Sequence, residues 1–390
     1  MKISLATNFD DDLIDQIADY PVYEVYGKLK NDYIGGGRAD NSLMDVDKEK
    51  FENHVRKVRK AGIRFNYLLN GSCLSNNEQN FDWQKKLYEF LSYLKKVGVN
   101  ALTVTNPYIL IFVKRYFPDD FQVRISTFAC IDSYTKAKYW EDLGADYLCV
   151  DFVKINRDFK TLKYIVDNLH TAKIEILVTN SCLKNCPMIY THTNGLAHAS
   201  SINNDTSSYE DWSLFYCQEK ELEHIDEYIK SPWVRPEDLH YYEELGIEHF
   251  KITERDFPTE QLVKRVKAYT NRSYDGNLLD LIQGHGVKES ENLKLTRKEV
   301  VTKKEIYDEI KRVRGLGRER ECERHIYIDN KKLDGFLKFF VDNKCTGNCN
   351  SCGYCNLIAK KTITKNEEVC SYLLELYKKY DYAKMDLSDK

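Results

Sequence analysis

The chain has 390 residues, which suits one large α/β domain with a smaller appendage and exceeds a minimal domain that needs staples to fold. Its 58 basic and 61 acidic side chains leave a formal net charge of -3, so no global charge calls for a nucleic acid or an anionic membrane as partner. No apolar run reaches the roughly 18 residues of a membrane span, and the N-terminus runs straight into a strand-like KISLAT without a signal-peptide pattern; the cytoplasm is the expected compartment, with no membrane partner.

In chain order, short β-rich runs alternate with helical intervals, the pattern of βα units and a parallel sheet. The runs are residues 3–6, 23–26, 64–69, 101–105, 123–126, 147–150, 174–178 and 249–252. The intervals, such as 48–61 and 83–97, carry apolar residues at three- and four-residue spacing. Eight runs with helices between them predict an α/β fold, a (β/α)8 TIM-like barrel; a doubly wound open sheet is the alternative. A barrel puts its active site at the C-terminal strand ends. Those ends are Thr7 and Asn8; Gly27 and Lys28; Asn70 and Cys73; Asn106; Thr127; Asp151; Asn180 and Cys182; Glu254 and Arg255. Every end carries a polar residue, although strands of any fold often end in polar turns.

The seventh run ends in Thr179 and Asn180 and leads into a segment rich in Asn, Ser, Thr and Gly that reads as a long loop bearing Cys182, Cys186, His192, Asn194, His198 and Cys217. Past the eighth run, Gly284-His285-Gly286 and a charged stretch with Lys288, Lys294, Arg297 and Lys298 read as a linker. The expected division is therefore a barrel over 1–285 and a small cysteine-rich C-terminal domain over 286–390. Residues 312–320 (RVRGLGRER) are locally basic, a pattern that more often marks a solvated face than a phosphate site.

Twelve cysteines in a reducing compartment argue for metal or catalysis rather than disulfides. Cys345, Cys349, Cys352 and Cys355 read C-x-x-x-C-x-x-C-x-x-C, with small turn formers as spacers. Four thiolates at such reach suit zinc or an iron-sulfur cluster, and consecutive thiols around one turn favour 4Fe-4S over the two separated C-x-x-C pairs of a zinc site. The first three also fit the spacing of radical S-adenosylmethionine enzymes, but that motif belongs near the first strand of its barrel. In the barrel, Cys182, Cys186 and Cys217 form a second group. Cys73, beyond the third run, is the expected fourth ligand, with Cys130, beyond the fifth, as competitor. Cys149 and Cys370 read as buried small hydrophobes, and Cys322 has no evident partner.

The H-E-x-x-H zinc-protease motif and the nucleophile-elbow, phosphate-loop and dinucleotide fingerprints are absent. Gly35-Gly36-Gly37-Arg38 offers backbone amides to an anion, although a bare glycine run is more often a turn. The run NSCLKNCP at 180–187, His192 and His198, Tyr216-Cys217, SPWVRPED at 231–238, FKI at 250–252 and NRSYDGNLLD at 271–280 together resemble peptidase family U32, the collagenase-like peptidases. VYGK at 25–28, GGGR at 35–38 and NYLLN at 66–70 extend the resemblance to the N-terminal half.

The resemblance implies more than the family's name does. Members include iron-sulfur proteins needed for oxygen-independent hydroxylation of a quinone precursor or of RNA pyrimidines, with prephenate a proposed oxygen source for the RNA reactions. Their four-cysteine 4Fe-4S site matches here at Cys182, Cys186 and Cys217. The expected activity is hydroxylation-type redox chemistry on an RNA base, quinone precursor or peptide, with one or two 4Fe-4S clusters and an external electron donor. Arg38, Arg235 and Arg255 are the expected substrate-binding residues, because guanidinium pairs with carboxylate or phosphate. Asp151, His192, His198 and Glu254 are the expected proton-transfer groups. The alternatives are a metal-dependent peptidase or peptide-modifying enzyme, and a non-catalytic electron-transfer protein serving a partner subunit.

Overall fold

The computed structural model describes residues 1–202, 210–255, 257–282, 302–314 and 325–381. Eight parallel strands close into a barrel: β1 (Lys2–Ala6), β2 (Val22–Gly27), β3 (Arg64–Leu69), β4 (Ala101–Val104), β5 (Gln122–Ile125), β6 (Tyr147–Cys149), β7 (Lys173–Leu177) and β8 (His249–Ile252). Each pairs with its sequence neighbour, and β8 returns to β1 with Lys2 beside His249. Closure excludes the open sheet, since no edge strand remains. Helices between the strands begin where side chains cap their free N–H groups: Asp47 before Lys48–Lys60, Asn80 before Phe81–Val97, Asn106 before Pro107–Tyr116 and Ser133 before Tyr134–Asp142.

One face of every strand packs on these helices, and the other points inward at period two. At the lower level the interior is polar. Ser4 and Asn66 donate to Glu24, Thr103 donates to Asn66, and Arg124 bonds both Glu24 and Glu175. Two residues further along the strands come Ala6, Tyr26, Leu68, Cys149, Leu177 and Lys251, nearer the mouth.

The start of β7 is fixed from outside the barrel by Glu141, whose carboxylate accepts from the backbone N–H groups of His170, Thr171 and Ala172 at 2.7–3.0 Å. β7 leads into the cysteine-bearing segment, so this clamp sets its starting point. Among the described residues no helix is long and apolar enough to cross a membrane.

Beyond the barrel, β9 (Ile326–Ile328) and β10 (Ile363–Lys365) form a two-stranded antiparallel sheet. Helix Glu367–Lys379 packs on helices Trp212–Glu223 and Lys303–Arg314. One apolar core runs through both parts, joining Trp233, Ile229 and Phe215 to Phe336, Leu373 and Tyr380. The boundary expected at 285/286, the Gly284-His285-Gly286 linker with its lysines and Arg297, and Cys322 lie outside the described residues, as does most of the basic 312–320 run. Arg312 itself is paired with Glu309 at 2.6 and 2.7 Å.

Burial opposes ionisation of Glu141, but its backbone donors prevail and hold the carboxyl at about 2, against 4.5 when unperturbed. A depressed folded pKa stabilises above pH 4.5 and is lost as pH falls toward 2. Glu141→Gln should therefore cost roughly 1–3 kcal/mol at pH 7. The gap to wild type should narrow steadily between pH 5 and 2 in urea unfolding.

Candidate functional site

At the C-terminal mouth of the barrel a cavity of ≈150 Å³ is lined by Cys182, Cys186 and Cys217 together with Arg38, Lys251, Glu254 and Arg255. Part of the segment after β7 is helical where its composition predicts a loop. It forms helix Ile189–His198 and then leads to helix Trp212–Glu223, because Ile189, Thr193, Leu196 and Ala197 fall on one buried face and tertiary packing outweighs weak helix propensity. Asn180 begins the turn by accepting from the Cys182 N–H at 2.8 Å, and Ser231 donates to the Cys182 carbonyl at 3.0 Å.

Each thiol has a distinct setting. Burial pushes Cys182 up, with Cys186 and Glu221 adding to the effect. Burial also raises Cys217, which lies within the electrostatic reach of Glu221, Cys182, Asp211 and Cys186. Cys186 is raised by burial, yet it sits at the start of a helix where the N–H groups of Met188 and Ile189 favour its thiolate. The three cysteines are thus mutual neighbours. Among the described residues, however, no three Cys, His, Asp or Glu side chains converge as a single metal ion requires.

The expected fourth ligand is not in this cavity. The Cys73 sulfur accepts from the Ser75 N–H at 3.4 Å, and Cys130 donates to the Phe128 carbonyl at 3.6 Å; neither lines the space. The fourth cysteine on the wall is Cys149, read from sequence only as a buried hydrophobe. It packs with Phe152, Leu177 and Ile189 against Cys182, and burial pushes its thiol up to about 12. Lys251, also unforeseen, lies 4.2 Å over the Tyr26 ring. Both stand on inward positions of β6 and β8, which period-two counting marks once the strands are known.

Arg38 pairs with Glu254 at 2.9 Å on the cavity wall. Glu254 has φ 85°, a left-handed conformation uncommon for a residue with a Cβ and concentrated at functional sites. His192 is held by Asp211 at 3.0 Å and also faces the cavity. Other expected residues lie elsewhere. Asp151 is buried beside Lys154 and Asp132, its carboxyl raised by desolvation, and His198 closes its helix with Nε2 buried and without a hydrogen-bond partner. Neither lines the cavity.

Arg235 departs most from expectation. Its guanidinium is buried in a fork on Asp238 at 2.8 and 3.0 Å, bonds the Asn330 carbonyl at 2.8 Å and meets Asp334 at 3.0 Å, so it clamps the barrel to the C-terminal segment. The glycine run is likewise committed internally. The Gly35 N–H donates to Asp32 and the Gly36 N–H to Ser200, which removes two of the amides an anion would need.

Arg235→Ala should lower stability by about 3–5 kcal/mol by stranding buried Asp238. Denaturant unfolding measures this, and intact stability would contradict the clamp.

The family model for peptidase family U32 matches residues 13–277. The uncharacterized protease MJ1657 of Methanocaldococcus jannaschii is 28% identical over 341 residues, covering 87% of this chain and 89% of that protein. The solved U32 peptidase Mk0906 is similar with a TM-score of 0.49 at 19% identity, over 65% of this chain and 93% of that one. With the matched region running from before β2 through β8 and including Cys182, Cys186 and Cys217, the chain belongs to peptidase family U32.

Proposed function

We propose that this chain is an iron-sulfur enzyme of its family that performs oxygen-independent, hydroxylation-type redox chemistry in the barrel cavity, supplied with electrons by an external donor. The observation that carries the reading is that Cys182 and Cys186, from the loop after β7, and Cys217, from helix Trp212–Glu223, wall one cavity with Arg38, Lys251 and Arg255. The residues fit an iron-sulfur group: the donors are soft thiols within electrostatic reach of one another, and Cys149 is on the same wall. Cys182, Cys186 and Cys217 would hold it, and when bound it supplies electron transfer and Lewis acidity at iron.

The chain's own groups define the substrate. A cavity of ≈150 Å³ is the size that accepts one six-membered ring, which favours a quinone precursor or a single presented base over an extended peptide. Arg38, Lys251 and Arg255 would hold a carboxylate or phosphate on that ring. His192, oriented by Asp211, is the group that would move a proton.

The peptidase reading draws on the family's name and on the same His192–Asp211 pair. Against it, the Cys217 thiol donates to the Leu214 carbonyl at 3.1 Å rather than to an imidazole. The scaffold reading leaves the ring-sized cavity without a purpose.

Protein purified without oxygen should contain iron and acid-labile sulfide, and Cys182→Ala/Cys186→Ala should lose about four of each per chain. Zinc without sulfide, or no metal, would overturn the proposal in favour of the peptidase.

A further inference from the structure

A second thiol group lies outside the matched family region, which ends at residue 277. Cys345, Cys349, Cys352 and Cys355 line one recess, walled also by Lys184 and Tyr354. The backbone is shaped to bring them there. Gly347 and Gly353 take φ 78° and 65° with open space where a Cβ would stand, so conformation rather than crowding selects glycine. Asn348 caps the short turn Cys349–Cys352 by accepting from the Ser351 N–H, and helix Tyr354–Thr362 places Cys355 one turn on. Tyr354 stacks on Phe339 at 3.9 Å and makes the recess partly apolar.

Lys184 and Lys230 line this recess, Lys230 held by Asp226 and Glu227 at 2.7 Å, and Arg157 lies within electrostatic reach of Cys355 and Cys345. Lys184 donates to the Cys345 sulfur at 3.6 Å. Arg157 is sandwiched by Trp233 at 4.3 Å and Phe336 at 5.0 Å, and its guanidinium donates only to the neutral carbonyls of Ile229 and Trp233. Among the described residues no carboxylate pairs with it. Burial depresses Arg157 to about 10, while Tyr242, Cys355, Asp238 and Cys345 act in the opposite sense. A largely buried cation with no carboxylate in hydrogen-bond contact gains from negative charge on the nearby sulfurs in addition to that of Asp238.

We propose that Cys345, Cys349, Cys352 and Cys355 bind a 4Fe-4S cluster, balanced in charge by Lys184 and Arg157, that relays electrons to the barrel site through the Cys182–Cys186 loop. Four thiolates leave such a cluster anionic, and hydrogen bonds and charges at the sulfurs tune its potential. Lys184 sits midway between Cys182 and Cys186, so about 7 Å of chain at most separates its Cα from either barrel cysteine. Its side chain ends on Cys345. A reduced one-electron donor protein would give an electron to the C-terminal cluster, which would pass it to the barrel centre and return to its oxidised state. The relay rests on the barrel reading above; the C-terminal cluster does not.

The test uses the full chain purified without oxygen. Cys349→Ala/Cys352→Ala should lose about four irons and four sulfides and keep those of the barrel. Reduced wild type should give an electron paramagnetic resonance spectrum broadened by two interacting clusters, and either double variant a simple isolated signal. Lys184→Glu, which removes no ligand, should leave iron content unchanged and shift the C-terminal cluster to lower potential. Unchanged sulfide in Cys349→Ala/Cys352→Ala, or zinc at these cysteines, overturns the cluster while the barrel reading stands. A cluster at the C-terminal cysteines with none in the barrel supports the new site and overturns the relay.

Discussion

Arg124 lies at the centre of the barrel between Glu24 at 2.9 Å and Glu175 at 2.6 Å, with the Tyr23 hydroxyl and the face of Tyr147 closing around it. All three charged side chains are almost fully buried. Desolvating them is expensive, and removing any one partner of such a group typically costs about 3–5 kcal/mol because the others are left uncompensated. The three strands that carry the group, β2, β5 and β7, are thereby held in one register. A barrel interior filled by an ionic knot instead of aliphatic layers is stiff at its base. The mouth can then carry thiols, a strained Glu254 and a cavity without the strands losing their positions.

The C-terminal segment is part of the same mechanical object. Residues 231–236 run between the two: Ser231 reaches back to the cysteine turn, Trp233 forms the floor on which Arg157 and Phe336 stack, and Arg235 grips Asp334. These residues belong to a motif that resembles the family's, and here their work is architectural. Joining the thiol turn, the Arg157 cation and the C-terminal cysteines through one apolar core fixes the distance between the two cysteine groups.

The eight strand positions were legible because short β-rich runs recur between helical intervals and a polar residue marks each strand end; every run lies within a residue of its strand. Cys182, Cys186 and Cys217 were legible by spacing and resemblance. Helix Ile189–His198 was not, because Thr191, Thr193, Asn194 and Gly195 are poor helix formers and only burial against the barrel makes them helical. Cys149 and Lys251 were hidden inside strands, where sequence shows an apolar-looking run but not which side chains meet across the barrel. The clamp made by Arg235 was not legible, because a guanidinium looks the same in sequence whether its partner is a substrate or Asp238. Long-range pairing of that kind has no local signature.

Gly35, with φ 77°, lies so close to helix Ile189–His198 that a Cβ there would stand 2.0 Å from the Ala197 carbonyl oxygen. The strap around it is stitched to the same chain segment, Ile202 bonding Asp32 and Asp40 bonding Ala199. The roof of the cavity is therefore main chain laid on main chain, with no compressible side chain between. Such a joint behaves as a gear rather than a cushion. The strap is thus seated on the C-terminal end of that helix, while the N–H groups of Met188 and Ile189 at its other end are the ones that face Cys186.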